Sequence, residues 1–248
     1  MSAYDRIGGT YTRTRRPDPR IARQISDALG DARSVVNVGA GAGAYEPRDR
    51  DVVAVEPSSV MLRQRALDAA PAVQASAETI PFADGAFDAA LAVLTMHHWD
   101  DWRAGVAELR RVARRRIVVL TFDPECIARY WLVRDYLPEI AVVDEQRFPP
   151  LATVAEALGG AEAIPVPIAA DCTDGFLCAA WKRPLAYLDE RVRANISTFS
   201  MLDPATVAAA LARLERDIAG GAWAARNADL IACDEADLGY RLLVADLP

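Results

Sequence analysis

VVNVGAGAGAY, residues 35–45, decides how the rest of the chain is read. Val35 to Val38 are apolar apart from Asn37, too short for a helix and suited to a strand buried on both faces. Gly39, Ala40, Gly41, Ala42 and Gly43 follow at once. Such a turn has almost no side-chain bulk, so backbone approaches a ligand closely and several N–H groups face one concavity. Thirteen residues after Gly43, a second apolar run, Val52 to Val55, ends in Glu56. An acid at the tip of the second strand is where an α/β nucleotide fold holds a ribose, each charge-assisted bond being worth roughly 1.5–3 kcal/mol. The turn alone does not name the ligand, because Gly41 and Ala44 also satisfy a loose G-x-G-x-x-A dinucleotide pattern.

Outward from this stretch, strands and helices alternate. Strands are predicted at 34–38, 52–55, 72–75, 87–94 and 117–121, with a sixth at Ile164–Ile168, which its prolines confine to an edge. Helices are predicted over Arg20–Leu29, over 58–69 with Ser58 or Ser59 as cap and Val60, Met61, Leu62, Ala66 and Leu67 inward, over 101–113 capped by Asp100, around 126–137, and over 154–158. Only eight residues separate Gly43 from Val52, fewer than a crossover helix needs, so the first connection is a single turn or a loop. This alternation implies an α/β doubly wound sheet covered on both faces. Residues 169–238 have helical patterning instead, clearest over Pro204–Ile218, and a strand-like run returns only at Tyr240–Val244. The division expected is a core of residues 1–168 with 239–248, and a helical substrate cap over 169–238.

Composition narrows the function. A net charge of −7 argues against a nucleic-acid or anionic-membrane partner. No apolar run approaches the roughly 18 residues of a membrane span, and the N-terminal stretch lacks the apolar core of a secretory signal. Cys126, Cys172, Cys178 and Cys233 show no C-x-x-C spacing, and His97 and His98 are adjacent, so neither a disulfide framework nor a metal site is expected. The expectation is a cytoplasmic monomer or homodimer. The arginines of 110–116 read as a solvated helix end, and Asp171 and Asp174 as turn residues.

Taken in order, the pieces resemble a class I S-adenosylmethionine (SAM)-dependent methyltransferase, of the type 11 group that includes UbiE-like and trans-aconitate-type enzymes. NVGAGAG resembles the SAM-binding turn, VAVEPSSVML the second motif, ASAETIPFADGAFDAA the adenine-edge run, and AVLTMHHW the strand end beside methyl transfer. Dehydrogenases lack the IPFADGAFD run, which discriminates against a nicotinamide cofactor. The resemblance covers about residues 1–168 and 239–246. It implies a Rossmann-like seven-stranded sheet, parallel with an antiparallel last strand, plus a helical lid inserted before that strand. The cofactor set it implies is Gly39, Ala40, Gly41, Gly43, Glu56, Pro57, Met61, Ser76, Ala77, Glu78, Leu94 and Thr95, with Tyr11 and Arg15 closing over the methionine end. Two positions depart from the pattern: Asn37 stands where the family usually has an acid, and Ser76 where an Asp commonly meets the adenine.

On this resemblance the chain is a methyltransferase converting SAM to S-adenosylhomocysteine, acting without metal on an oxygen of a small molecule. Imidazole titrates near 6.5, so His97 or His98 at the rim suits a general base; packing beneath Trp99 and Trp102 is the plainer alternative. Trp131, Arg134, Trp181 and Tyr187 are the aromatic and basic candidates for substrate contact. A SAM-binding protein of this fold that has lost methyl transfer or runs another reaction, and a protein methyltransferase, stay open.

Overall fold

The computed structural model describes residues 16–248. The predicted Tyr11 and Arg15 contacts lie outside the described residues. Among the described residues, no helix is long and apolar enough to cross a membrane.

Seven strands form one sheet in the order β3-β2-β1-β4-β5-β9-β6, where β1 is Ser34–Val38, β2 Asp51–Val55, β3 Ala72–Val73, β4 Phe87–Val93, β5 Ala113–Phe122, β6 Glu162–Pro165 and β9 Tyr240–Asp246. The first five pair in parallel, and β9 runs antiparallel to both β5 and β6. The predicted Rossmann-like sheet is therefore present, with the edge position that Pro165 demands given to β6. Every residue of β1 from Val35 on is buried, as a strand covered on both faces requires.

Helices α1 (Pro19–Leu29), α2 (Trp102–Val112), α3 (Glu139–Arg147), α4 (Leu151–Ala157) and α5 (Pro204–Ala219) are the longer ones. No helix fills residues 41–50, so the first connection is a series of turns, as its length requires. Four expectations need correction. The helix over 58–69 is a single turn, Ser59–Leu62, and Leu67 points fully into solvent. The chain then bends because Arg65 donates to the Ala70 carbonyl and to Glu46, fixing a compact turn ahead of Pro71. The cap of α2 is Asp101, whose Oδ1 accepts from Arg103 and Ala104, while Asp100 N–H is taken by Glu78. The helix around 126–137 is two short pieces, Pro124–Ile127 and Trp131–Asp135, and α3, past Pro138, was not anticipated. Finally, the arginine run divides: Arg110 and Arg111 fall in the last turn of α2, the helix end expected, whereas Arg114, Arg115 and Arg116 lie on β5 and pair with Asp88, Asp31 and Asp246.

Between β6 and β9 the chain leaves the sheet and returns, and a two-stranded ribbon of β7 (Ile168–Ala169) and β8 (Glu235–Ala236) joins the outgoing and returning segments. The inserted residues are not a separate globule. Phe176, Trp181, Tyr187, Ile196 and Leu214 belong to the same apolar cluster as Ile25 of α1 and Leu91 and Leu120 of the sheet. The other face of the sheet carries its own cluster, with Val36, Val119, Leu109 and Leu158.

Candidate active site

The glycine turn sits at the carboxyl end of β1, where open α/β sheets bind ligands. Gly39 and Ala40 N–H both donate to the Val55 carbonyl at the end of β2 (2.8 and 3.1 Å), which locks the turn to the neighbouring strand. Gly39 has φ +68°, and a Cβ there would lie 2.0 Å from Thr95 Oγ1, so only glycine lets β1 and β4 end this close together. Gly41 N–H donates to Glu56 Oε2 and Ser58 N–H to Glu56 Oε1, both at 2.8 Å. Glu56, a residue only 5% exposed, thus ties the turn to the helical turn after β2.

These residues wall a cavity of about 330 Å³. Every predicted cofactor residue within the described residues lines it except Gly43: Gly39, Ala40 and Gly41 with Glu56, Pro57 and Met61 on one side, and Ser76, Ala77, Glu78, Leu94 and Thr95 on the other. Gly43 is set back, where an added Cβ would meet Glu46 Oε2 at 3.1 Å. Asn37, Tyr45, Trp99 and His98 also line it.

Three of those residues were not identified from the sequence as site residues. Asn37 donates from Nδ2 to Glu46 Oε1 at 3.3 Å, and Glu46 makes an ion pair with Arg65 at 2.8 Å, both side chains 7% exposed. Arg65 also donates to the Gly41 carbonyl. An acid is therefore supplied nine positions after the one where the family pattern has it. Asn37 Oδ1 is buried on the cavity wall with no hydrogen-bond partner among the described residues. Tyr45, at φ +62°, donates to Asp174 Oδ2 at 2.8 Å and accepts from Asp18 N–H. Asp174, expected to be an ordinary turn residue, is thus a buried anchor between the cavity and the inserted segment. Trp99 lies against Gly105 of α2, where a Cβ would sit 2.4 Å from the ring, and its indole N–H has no partner among the described residues.

Leu94, with φ +49°, is shared between this cavity and a second, smaller one of about 70 Å³. Strained non-glycine backbone of this kind persists only where surrounding structure enforces it. Phe122, Ile127, Phe148, Phe176, Leu177, Ile196 and Tyr240 make the second cavity largely apolar, and His97, Asp144, Asn195, Ser197 and Thr198 are its polar members. His97 stacks on Phe148 with ring centroids 4.3 Å apart, not beneath a tryptophan. His98 faces the first cavity, and its Nδ1 lies 3.1 Å from Arg147 Nη2; arginine only donates, so Nδ1 accepts. The two histidines therefore divide between the cavities.

The substrate candidates are not brought to either cavity. Trp131, Trp181 and Tyr187 are core residues whose polar atoms are satisfied internally: Trp131 Nε1 donates to the Trp181 carbonyl, Trp181 Nε1 to the Ile168 carbonyl, and the Tyr187 hydroxyl to the Leu177 carbonyl. Arg134 pairs with Asp135 beside a separate cleft. Among the described residues, no group of three or more His, Cys, Asp or Glu is arranged to hold a metal ion.

A glycine-lined cavity at the carboxyl edge of a Rossmann-like sheet, closed by an acid at the tip of β2, defines an α/β protein built for a nucleoside cofactor. Residues 36–119 match the methyltransferase-domain family. The chain aligns over 94% of its length with 99% of a crystal structure titled “Putative methyltransferase from antibiotic biosynthesis pathway” from Anabaena variabilis, at 33% identity and a TM-score of 0.87. “Uncharacterized methyltransferase YcgJ” of Bacillus subtilis is 29% identical over 122 residues, a match spanning 45% of this chain and 44% of that protein. Geranyl diphosphate C-methyltransferase of Streptomyces coelicolor, crystallised with Mg²⁺, geranyl diphosphate and S-adenosylhomocysteine, shares the fold alone at 17% identity and a TM-score of 0.50, over 91% of this chain and 76% of that one. The chain belongs to the class I SAM-dependent methyltransferases, and its cofactor is SAM.

Proposed function

We propose that the chain transfers the methyl group of SAM to an oxygen, a hydroxyl or carboxylate, of a small molecule held in the cavity beyond Leu94. The observation that carries this reading is the shared wall: a cofactor-sized cavity and an apolar, aromatic-lined one meet across a single strained residue at the end of β4. SAM supplies an activated methyl group as a sulfonium, so the protein's task is alignment and exclusion of water, a contribution of roughly 7–11 kcal/mol when well executed. Glu56, in the cavity wall at the tip of β2, takes the ribose hydroxyls. Met61 and Ala77 flank the adenine, with Ser76 and Glu78 at its edge, and Gly39 to Gly41, Asn37 and Tyr45 receive the methionine end. Asn37 Oδ1, a buried acceptor with no partner among the described residues, suits the cofactor's ammonium group.

Residues 169–238 act as the acceptor-binding cap, since Phe176, Leu177 and Asn195 to Thr198 from this segment line the second cavity. His97 is the general base: it lines the acceptor cavity, whereas Arg147 occupies Nδ1 of His98. In the transfer the S–CH3 bond breaks as an O–CH3 bond forms, the bonding pair stays on sulfur, and a hydroxyl acceptor passes its proton to His97. The test is incubation with methyl-labelled SAM and a panel of small hydroxylated and carboxylated molecules, followed by mass spectrometry for S-adenosylhomocysteine and labelled product. With an acceptor in hand, His97→Ala should lower kcat by about 10²-fold or more. SAM that binds with measurable heat and is never converted would reduce the chain to a cofactor-binding protein.

A further inference from the structure

The polar wall of the second cavity has an unusual balance. Asp144 of α3 is 2% exposed. Its Oδ1 accepts from Thr198 Oγ1 at 3.1 Å, and no hydrogen bond reaches Oδ2 from the described residues. Arg147, one turn on, donates to Ser197 and His98 and bears on the carboxylate only through space. Burial pushes the Asp144 carboxyl up to about 6, against the Thr198 bond and the Arg147 charge. In the lining of the same cavity Asn195 donates from Nδ2 to the Arg191 carbonyl at 2.8 Å, a bond that fixes which way the amide faces. Its Oδ1 is left buried with no partner among the described residues. Two hydrogen-bond acceptors, on residues more than nine-tenths buried, thus share one chamber with His97, Ser197 and Thr198, and none of these is recorded donating to Asp144 Oδ2 or Asn195 Oδ1.

We propose that Asp144 and Asn195 form a hydroxyl-recognition pair that selects, as methyl acceptor, an aromatic or similarly apolar small molecule carrying a free hydroxyl, and rejects carboxylates. The proposal rests on the methyl-transfer reading above and narrows it. Phe122, Phe148, Phe176 and Tyr240 supply flat walls for a ring. A bound hydroxyl donates its one proton to Asp144 or Asn195, and hands it to His97 only as the O–CH3 bond forms. An analogue without that proton offers no donor to Asp144 Oδ2 or Asn195 Oδ1, which is where polar pockets discriminate most sharply. A carboxylate brings a third acceptor and a second negative charge beside Asp144. Arg147, whose charge reaches Asp144 through space, works against a second cation beside the carboxyl.

The test uses the full chain saturated with S-adenosylhomocysteine and four probes of one size, phenol, anisole, benzoate and benzylamine, titrated by ligand-observed NMR. Phenol is expected to bind about tenfold or more tightly than anisole, and benzoate not at all. Asp144→Leu and Asn195→Leu, each close to isosteric, should bring phenol down to the level of anisole while the S-adenosylhomocysteine affinity from calorimetry stays unchanged. Equal binding of phenol and anisole, tighter binding of benzylamine or benzoate than of phenol, no binding of any probe, or a phenol preference that survives both substitutions would overturn the proposal. Those outcomes leave the methyl-transfer reading standing, whereas the absence of any heat with S-adenosylhomocysteine would remove that reading and this proposal together.

Discussion

Both carboxylate oxygens of Glu56 are engaged by backbone N–H groups, one from the glycine turn and one from the helical turn after β2. The residue therefore shapes the cavity as well as lining it, and on the proposed role its removal should be felt twice. Glu56→Ala is expected to weaken SAM binding tenfold or more by calorimetry, and to cost about 1–3 kcal/mol of stability by urea unfolding because two donors lose their acceptor. Asp144 gives the opposite sign. Its pKa is raised in the folded state from 3.8 to about 6, so the folded protein binds the proton more tightly than the unfolded chain does. The stabilising contribution is complete below the unfolded value and is lost as pH rises through about 6. Arg147 and Thr198 limit that loss without cancelling it. Asp144→Asn should match the unsubstituted protein in stability near pH 4 and exceed it by roughly 2–3 kcal/mol near pH 7.5, read from denaturant midpoints at the two pH values. If the difference is the same at both, the carboxyl is not buried as described.

The meeting of β1 and β4 is the tightest joint between elements. Gly39→Ala must place a methyl group 2.0 Å from Thr95 Oγ1 at φ +68°, so about 2 kcal/mol or more of stability and most of the cofactor affinity should be lost, measured by thermal unfolding and calorimetry. This joint and the sheet around it are legible in the chain, because apolar runs ending in glycines or an acid leave few alternatives to buried parallel strands. The helices are less so. VMLRQRAL has helical spacing, yet Arg65 satisfies the Ala70 carbonyl and Glu46, ending the helix at Leu62 and turning Leu67 outward. The aromatic residues mislead for a related reason: Trp131, Trp181 and Tyr187 look like ligand contacts until their N–H and O–H groups find carbonyls inside the core. Asp144, Asn195 and Thr198 carry no motif at all. They come together only because α3 packs against the turn at Ser197–Met201, a contact between elements some fifty residues apart.

At the scale of the molecule, the inserted segment is bound into the core rather than appended to it. Its Phe176, Trp181 and Tyr187 share one cluster with α1 and the sheet, and Asp174 holds Tyr45 in the wall of the larger cavity. Replacing residues 170–234 by a short Gly-Ser linker should therefore fail to leave a folded sheet domain: loss of cooperative unfolding by circular dichroism is expected, and a sharp transition with retained SAM binding would show the core to be independent. The position of β9 has a consequence for synthesis. It lies between β5 and β6, which touch each other only through it. About 75 residues separate the end of β6 from Tyr240, so at ~5–20 residues per second the nascent chain spends roughly 4–15 s with the long flank of β5 uncovered and β6 unable to dock. That interval is when a growing chain is most exposed to illegitimate strand pairing, and residues 240–246 close it like a keystone set last.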